Sequence, residues 1–320
     1  MTKNARSPKE TPLDSSVARY LAQQTEQQEL GNLSVATVNL RRYALGVLLD
    51  WAHAEGIEDA ADLTAERLNG WLRWMLKRKR NGKLTSRETS RSYQRQAGPF
   101  LKWAKAPTDG FKPLKGAGYR EKDVVTPDEI LKMEKACSDE RDRLIVRLLG
   151  QSALRVQELL NLRPGDLRED RVAKSYSVRV LGKGNASEQK KERLVPVDPD
   201  VYTRLKHEAE HGPVPGGEYI FYSRRRTSKK RGGTIERLTR SGVDQLIRNV
   251  AEAAKVSRSD RRIYPHVLRH AAISNWLLAE VPPATVARWA GHSDLKLIMT
   301  TYAHLGLDRA YEAFPVWKKK

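Results

Sequence analysis

The stretch at 107–125, PTDGFKPLKGAGYREKDVV, divides this chain in two. It is rich in Gly, Pro and Lys and has no apolar periodicity, so no helix or strand can bury a face there, and it reads as a linker. What lies on each side must then build a core of its own. At 320 residues, 39% of them hydrophobic, the chain has enough apolar material for two.

On the N-terminal side, 14–106 is expected to form an all-helical domain of four helices. One ends near Gly31, one is opened by Ser34 and closed by Gly56, and one is opened by Thr64 and closed by Gly82. The last begins on a Thr85-x-x-Glu88 capping box and should kink near Gly98-Pro99, before Phe100, Leu101 and Trp103. In the second helix Val38, Leu45, Leu48, Leu49 and Ala52 recur at helical spacing and form an apolar stripe. Residues 1–13 are polar, lack the apolar h-region of a secretory signal, and are expected to be a disordered tail. No internal repeat is visible.

After the linker a second domain is expected over 126–314, followed by a basic tail at 315–320. Thr126-Pro127-x-Glu129 supplies an N-cap, a proline at the first helical position and a capping glutamate. Helices should run from there to about Leu162, with Arg155 on a helix packed against the core, until Pro164-Gly165 turns the chain. The segments 175–181 (SYSVRVL) and 193–197 (RLVPV) alternate as strands do, and Gly182-Lys183-Gly184-Asn185 lies between them, which predicts a β-hairpin with a long tip. After Pro199 the pattern returns to helix and continues to about Ala313, with a strand-like interruption at Tyr219-Ile220-Phe221-Tyr222. The fold class is therefore mainly α with a small antiparallel β-sheet.

Charge narrows the partner. There are 59 Lys and Arg against 39 Asp and Glu, a net +20, with a pI near 10.0, so a polyanion is expected. The charge is spread along several helices and loops rather than set beside one amphipathic anchor, and no apolar run is long enough to span a bilayer. That favours nucleic acid over membrane, in a soluble cytoplasmic protein. The single cysteine, Cys137, excludes an intramolecular disulfide framework and any Cys-rich zinc site, and reads as a small buried side chain in a reducing compartment.

Arg87, Arg91 and Arg95 are four apart and project from one helix face. Such like-charge pairs destabilise an isolated helix by roughly 0.2–0.5 kcal/mol each, and a phosphate backbone would neutralise them. Arg41, Arg42 and the run Lys77-Arg78-Lys79-Arg80 are assigned to the same DNA-binding surface. The tract at 224–231, RRRTSKKR, reads as a loop able to tether phosphates without specificity.

A second group of residues suggests chemistry. Arg155 can pair with Glu158 one turn away or present a planar fork to a phosphate, and taken alone the pairing is favoured. Pro265 places His266 near a helix N-terminus, where an anion is favoured, and Arg269 follows on the same face. His292 lies between Gly291 and Ser293-Asp294, which can cap a helix running toward Tyr302. A tyrosine hydroxyl has a pKa of ~10 and needs cationic, hydrogen-bonding surroundings to act as a nucleophile near neutral pH.

The order Arg155, Gly182-Lys183-Gly184, His266-x-x-Arg269, Gly291-His292 and Tyr302, behind a basic helical region, resembles the tyrosine recombinase (phage integrase, Xer-like) family. PHVLRH at 265–270, AGHSDL at 290–295 and RLVPV at 193–197 are specific matches, and the resemblance spans about 14–314. It implies a two-domain C-clamp, a SAM-like helical core-binding domain and a catalytic domain, closing on duplex DNA. It further implies that Arg155 and Arg269 grip the scissile phosphate, Lys183 protonates the leaving 5′-oxygen, His266 assists proton transfer and His292 hydrogen-bonds the phosphate. Tyr302 would become the 3′-phosphotyrosyl link, with Glu158 in support.

The family needs neither ATP nor metal, and neither a GxxxxGK[ST] nor an HExxH motif occurs here. The implied partners are paired recombination sites on double-stranded DNA, a homotetramer, and accessory DNA-bending or directionality proteins. The implied activity is that of a mobile-element integrase or transposase, or of an Xer-like resolvase.

Three departures stand out. The usual Gly-Leu-Arg is Ala153-Leu154-Arg155, the hairpin tip is lengthened, and His292 to Tyr302 is one position longer than the commonest spacing. The longer tip leaves Lys190 and Lys191 as alternatives to Lys183 for the acid. Residues before Asp14 are too few for a separate arm-binding domain, so a simple core-site complex is expected. The tail carries Tyr311, Phe314 and Trp317, which can dock on a neighbouring protomer or pack on their own domain. A type IB topoisomerase, or a DNA-binding protein without catalysis, is the alternative reading.

Overall fold

The computed structural model describes residues 10–80, 82–116, 125–182, 192–226, 233–258 and 261–291. The chain separates into two compact units, one running to Arg120 and the other beginning at Glu121.

The first unit holds four helices, α1 (Pro12–Glu29), α2 (Val35–Ala54), α3 (Ala65–Lys77) and α4 (Arg87–Trp103). Between the last two lies a short hairpin of β1 (Lys79–Arg80) and β2 (Lys83–Leu84). Each helix starts on a hydroxyl cap that accepts a main-chain N–H two or three residues into the helix: Thr11, Ser34, Thr64 and Ser86. Inward-facing Leu13, Leu45, Leu48, Trp71 and Phe100 are fully buried. Such side chains each contribute about 1.5–3 kcal/mol through burial. The α2 stripe forms as its spacing predicts, with Val38, Leu45, Leu48 and Ala52 buried and Leu49 half-buried.

Four expectations in this unit are corrected. Helix α1 begins at Pro12, because Thr11 and Asp14 form a reciprocal capping box and Leu13 is buried, so 11–13 are not a disordered tail. Helix α3 stops at Lys77 rather than running to Gly82, because Gly82 adopts φ 77 and turns the β1–β2 hairpin. The cap of α4 is Ser86, not Thr85. Thr85 lies where the chain returns from that hairpin, and both its N–H and its hydroxyl donate to the Arg78 carbonyl, at 2.8 and 3.0 Å. The start of the linker is also less free than its composition suggests. Phe111 and Leu114 pack against the first core, and the Leu114 N–H donates to Gln94 Oε1 at 2.8 Å.

The second unit opens with α5 (Pro127–Lys135), α6 (Glu140–Ser152) and α7 (Val156–Leu160). The expected capping box is present at α5, where Thr126 Oγ1 accepts from Glu129 N at 3.2 Å and Glu129 Oε2 accepts from Thr126 N at 3.1 Å. Strands β3 (Leu167–Asp170), β4 (Ser175–Leu181) and β5 (Glu192–Pro196) form one antiparallel sheet in that order. The β4–β5 hairpin is the predicted one, and β3 is an addition that its polar sequence hid. Helix α8 (Pro199–His211), the pair β6 (Tyr222–Arg226) and β7 (Ile235–Arg237), then α9 (Arg240–Ala253), α10 (Pro265–Leu278) and α11 (Pro283–Ala290) complete the described chain.

Three further expectations change. The strand near Tyr219 begins only at Tyr222, because Ile220 and Phe221 are buried as anchors and Ile220 N donates to Leu162 O at 2.9 Å. Arg224 therefore lies on a strand and pairs with Asp139 and Glu208, rather than on a loop tether. Arg155 also lies outside any helix. It caps α7 after α6 has ended at Ser152 and Ala153 has turned to the left-handed φ of 50°.

One core, including Leu144, Leu148, Val178, Val195, Phe221, Ile247 and Leu268, joins the helices to the sheet. A satellite of small residues, Ala153, Ala272, Ala287 and Ala290 with Ile273 and Val286, lets α10, α11 and the end of α6 approach closely. Among the described residues no helix is long and apolar enough to cross a membrane. The α5 box gives a direct test: Thr126→Ala should lower the stability of this unit by ~1 kcal/mol and Thr126→Ser should not, read from denaturant midpoints.

Candidate active site

Three arginines meet at the C-terminal end of α11. A helix leaves its last carbonyls without intrahelical partners, and its dipole makes that end negative. Here the Trp289 carbonyl accepts from Arg193 Nε at 2.8 Å, the Ala290 carbonyl from Arg269 Nη2 at 2.6 Å, and the Gly291 carbonyl from Arg155 Nη2 at 3.3 Å. The three arginines come from β5, α10 and the cap of α7, and they converge only through folding.

Local geometry places each of them. Ala153 stands at the left-handed position that ends α6, and its carbonyl accepts from Arg269 Nη1. The residue after next, Arg155, is extended (φ −74, ψ 150) and starts α7. Glu158, at the third position of α7, accepts from Arg155 N at 2.8 Å. Its carboxylate also takes Arg155 Nη1 at 2.8 Å and a bidentate pair from Arg193, at 3.1 and 2.8 Å. Gly291, left-handed at φ 65, lies so close to Arg193 that a Cβ there would meet its Cζ at 2.9 Å.

Exposure separates the three arginines. Arg269 is 2% exposed, and the Arg193 side chain 7%. The Arg155 side chain is 36% exposed, so its fork can be reached from solvent. Burial alone would raise the Glu158 pKa, but the hydrogen bonds and charge of Arg193, helped by those of Arg155, hold it below the usual glutamate range. Among the described residues this group holds three guanidiniums and one carboxylate, so two positive charges are in excess. Such a site suits an anion bound through Arg155. Among the described residues no group of three or more His, Cys, Asp or Glu is placed to hold a metal ion.

The other expected site residues fall into two sets. His266 is at the second position of α10, exposed, with its ring edge-on to that of His270 at 4.5 Å between centroids. Although three residues from Arg269, it does not share its burial. Lys183, its alternatives Lys190 and Lys191, His292 and Tyr302 lie outside the described residues.

On the first unit Arg42, Lys77, Arg87 and Arg95 are exposed. Three other basic candidates are already engaged by the protein. Arg41 donates to Gln24, Arg78 pairs with Asp50 at 3.0 Å above the Trp74 ring, and Arg91 pairs with Glu88 at 3.1 Å. Arg87 also reaches the Lys115 carbonyl, at 3.3 Å.

Sequence reasoning missed Arg193. A signal was present, since Arg193 shares the inward phase of β5 with buried Val195, while Leu194 between them is half exposed. A charged residue in phase with the apolar face needs a buried partner, and here it is Glu158.

The profile of the phage integrase family matches residues 123–308. The chain belongs to that family. Over 310 residues it is 29% identical to "Tyrosine recombinase XerC" of Xanthomonas campestris pv. campestris, covering 93% of this chain and 88% of the relative. Among solved structures, its fold resembles the XerH site-specific recombinase bound to a palindromic difH substrate, with a TM-score of 0.71, 16% identity, and 99% and 100% of the two chains covered. It also resembles the Tn1549 transposon integrase in complex with transposon right end DNA, with a TM-score of 0.65, 18% identity, and coverage of 95% and 99%.

In this family member Glu158 links two arginines, so its loss should be felt in stability. Removing one partner of a buried pair strands the other, and Glu158→Gln should cost about 3 kcal/mol. Because its folded pKa is depressed, the carboxylate contributes fully above the ordinary glutamate value of ~4.3, and that contribution is lost as the pH falls through the folded value. Thermal melts between pH 7 and pH 3 should therefore fall more steeply on the acid side for wild type than for Glu158→Gln.

Proposed function

We propose that this chain is a site-specific DNA recombinase that cuts and rejoins strands through a covalent 3′-phosphotyrosine on Tyr302. Membership of the phage integrase family supports this reading. The single observation that carries it into the structure is the reachable Arg155 fork, held by Glu158 in a group with excess positive charge.

In the proposed reaction Arg155 and Arg269 neutralise the scissile phosphodiester, and the Tyr302 oxygen attacks phosphorus. The bond to the 5′-oxygen breaks as the new ester forms, and Lys183 gives the leaving oxygen its proton, with Lys190 and Lys191 as the alternatives. His266 assists proton transfer, the Tyr302 hydroxyl giving up its proton as it attacks, and His292 hydrogen-bonds the phosphate. A 5′-hydroxyl from a partner strand then reverses the step. One phosphoester is exchanged for another, so no nucleotide is consumed.

The partner is double-stranded DNA, with the helical N-terminal unit as a core-binding domain and the second unit as the catalytic one. Four copies acting on two sites would complete the exchange, aided by DNA-bending or directionality proteins. The biological task is integration, transposition or resolution. The proteins it resembles include both Xer recombinases and a transposon integrase.

Two experiments test the reading. Tyr302→Phe should bind a duplex recombination site as wild type does and yield no SDS-stable adduct with a nicked suicide substrate; an undiminished adduct would refute the assignment. For the basic surface, Arg95→Gln should reduce the slope of log affinity against log salt by about 0.9, one phosphate contact. Arg78→Gln, already paired with Asp50, should leave that slope unchanged and lower the melting temperature instead.

A further inference from the structure

We infer that Arg193 is a positioning residue for strand cleavage, one that locks the Arg155 fork to the last turn of α11, the turn that leads into His292. The inference rests on the recombinase reading above and assigns a residue which that reading does not use.

Arg193 cannot act on DNA directly, because only 7% of its side chain is exposed. Its planar head instead faces two ways. Two nitrogens grip both oxygens of Glu158, and Glu158 in turn holds the side chain and the amide of Arg155. The third nitrogen donates to the Trp289 carbonyl, one of three successive carbonyls at the end of α11. The next two are taken by Arg269 and Arg155. One rigid guanidinium thus relates the cap of α7 to the end of α11, which are far apart in sequence. The contact with Gly291 is tight enough that any side chain there would displace it.

Arg193 also has a second connection. It is the second residue of β5, and β4 and β5 flank the lysine-bearing segment that follows Leu181. A shift of Arg193 would therefore disturb the strand that fixes one end of that segment. Lysine would not substitute, since an ammonium on a flexible stem cannot hold two carboxylate oxygens and a carbonyl in one plane.

The test measures single-turnover formation of the SDS-stable adduct on a saturating nicked suicide substrate, beside affinity for the same duplex and thermal melting. Arg193→Lys and Arg193→Gln should bind the site as wild type does and form adduct about 10- to 100-fold more slowly, the scale expected of a misplaced catalytic group. Gly291→Ala should show the same split. The double variant Glu158→Gln/Arg193→Gln should be no slower than the slower single variant, because both act through one link.

Adduct formation at the wild-type rate in folded Arg193→Lys and Arg193→Gln would overturn the inference, as would a loss of site affinity that matches the loss of rate. If the single variants do not fold, Glu158→Gln/Arg193→Met removes both charges together. A wild-type adduct rate in that variant would equally overturn the inference. If wild type itself forms no adduct, the recombinase reading fails and this inference falls with it.

Discussion

The second unit depends on how the end of α11 is satisfied. Three carbonyls in a row, at Trp289, Ala290 and Gly291, each receive a guanidinium from a different part of the chain. Many helices end on a left-handed glycine whose own N–H turns back to the helix, and Gly291 does this toward Arg288 and Ala287. That leaves the last carbonyls facing outward, and an apolar cover would have left them unpaired at a cost of roughly 1–3 kcal/mol each. Arginine resolves this, because its long stem can be buried while its fork reaches several acceptors at once. The price is that residues 155, 193 and 269, far apart in sequence, must all arrive before the end of α11 is fully satisfied.

The choice of acceptor matters for chemistry. Had each arginine been paired with its own carboxylate, the cluster would have been stable and electrically neutral, with nothing left to attract a phosphate. Carbonyl dipoles satisfy the hydrogen bonds without cancelling the charge. Among the described partners only Glu158 is an anion, and its oxygens are shared between Arg155 and Arg193. The excess positive charge is thus held in place by neutral groups, as preorganised electrostatic stabilisation requires.

How much of this was legible depends on whether a residue's partner is near in sequence. The capping box at Thr126, the α2 stripe and the β4–β5 hairpin were readable, since each is set by residues a few positions apart or by simple alternation. The pairing of Arg155 with Glu158 was readable for the same reason. The break in the helix before Arg155 was not, because Ala153 offers no glycine to mark a left-handed turn. The small residues packed around it allow the turn where propensity would have continued the helix. Thr85 offered a convincing cap signature and was overridden by the hairpin preceding it, whose closure uses the Arg78 carbonyl. The positive stripe on α4 was legible as spacing, but not the acceptors that Arg87 and Arg91 find at Lys115 and Glu88.

Exposure divides the work within the cluster. Arg193 and Arg269 are almost wholly buried, and a buried guanidinium is costly unless its hydrogen bonds are made, so these two are held to one geometry. Arg155 retains a partly exposed fork while its backbone and one nitrogen are fixed by Glu158. A flexible surface arginine would lose side-chain entropy each time it met a phosphate, whereas one already held has little left to lose. The buried members thus set the position of the exposed one. The Glu158 carboxylate, held ionised by Arg193, is the part through which that position is transmitted.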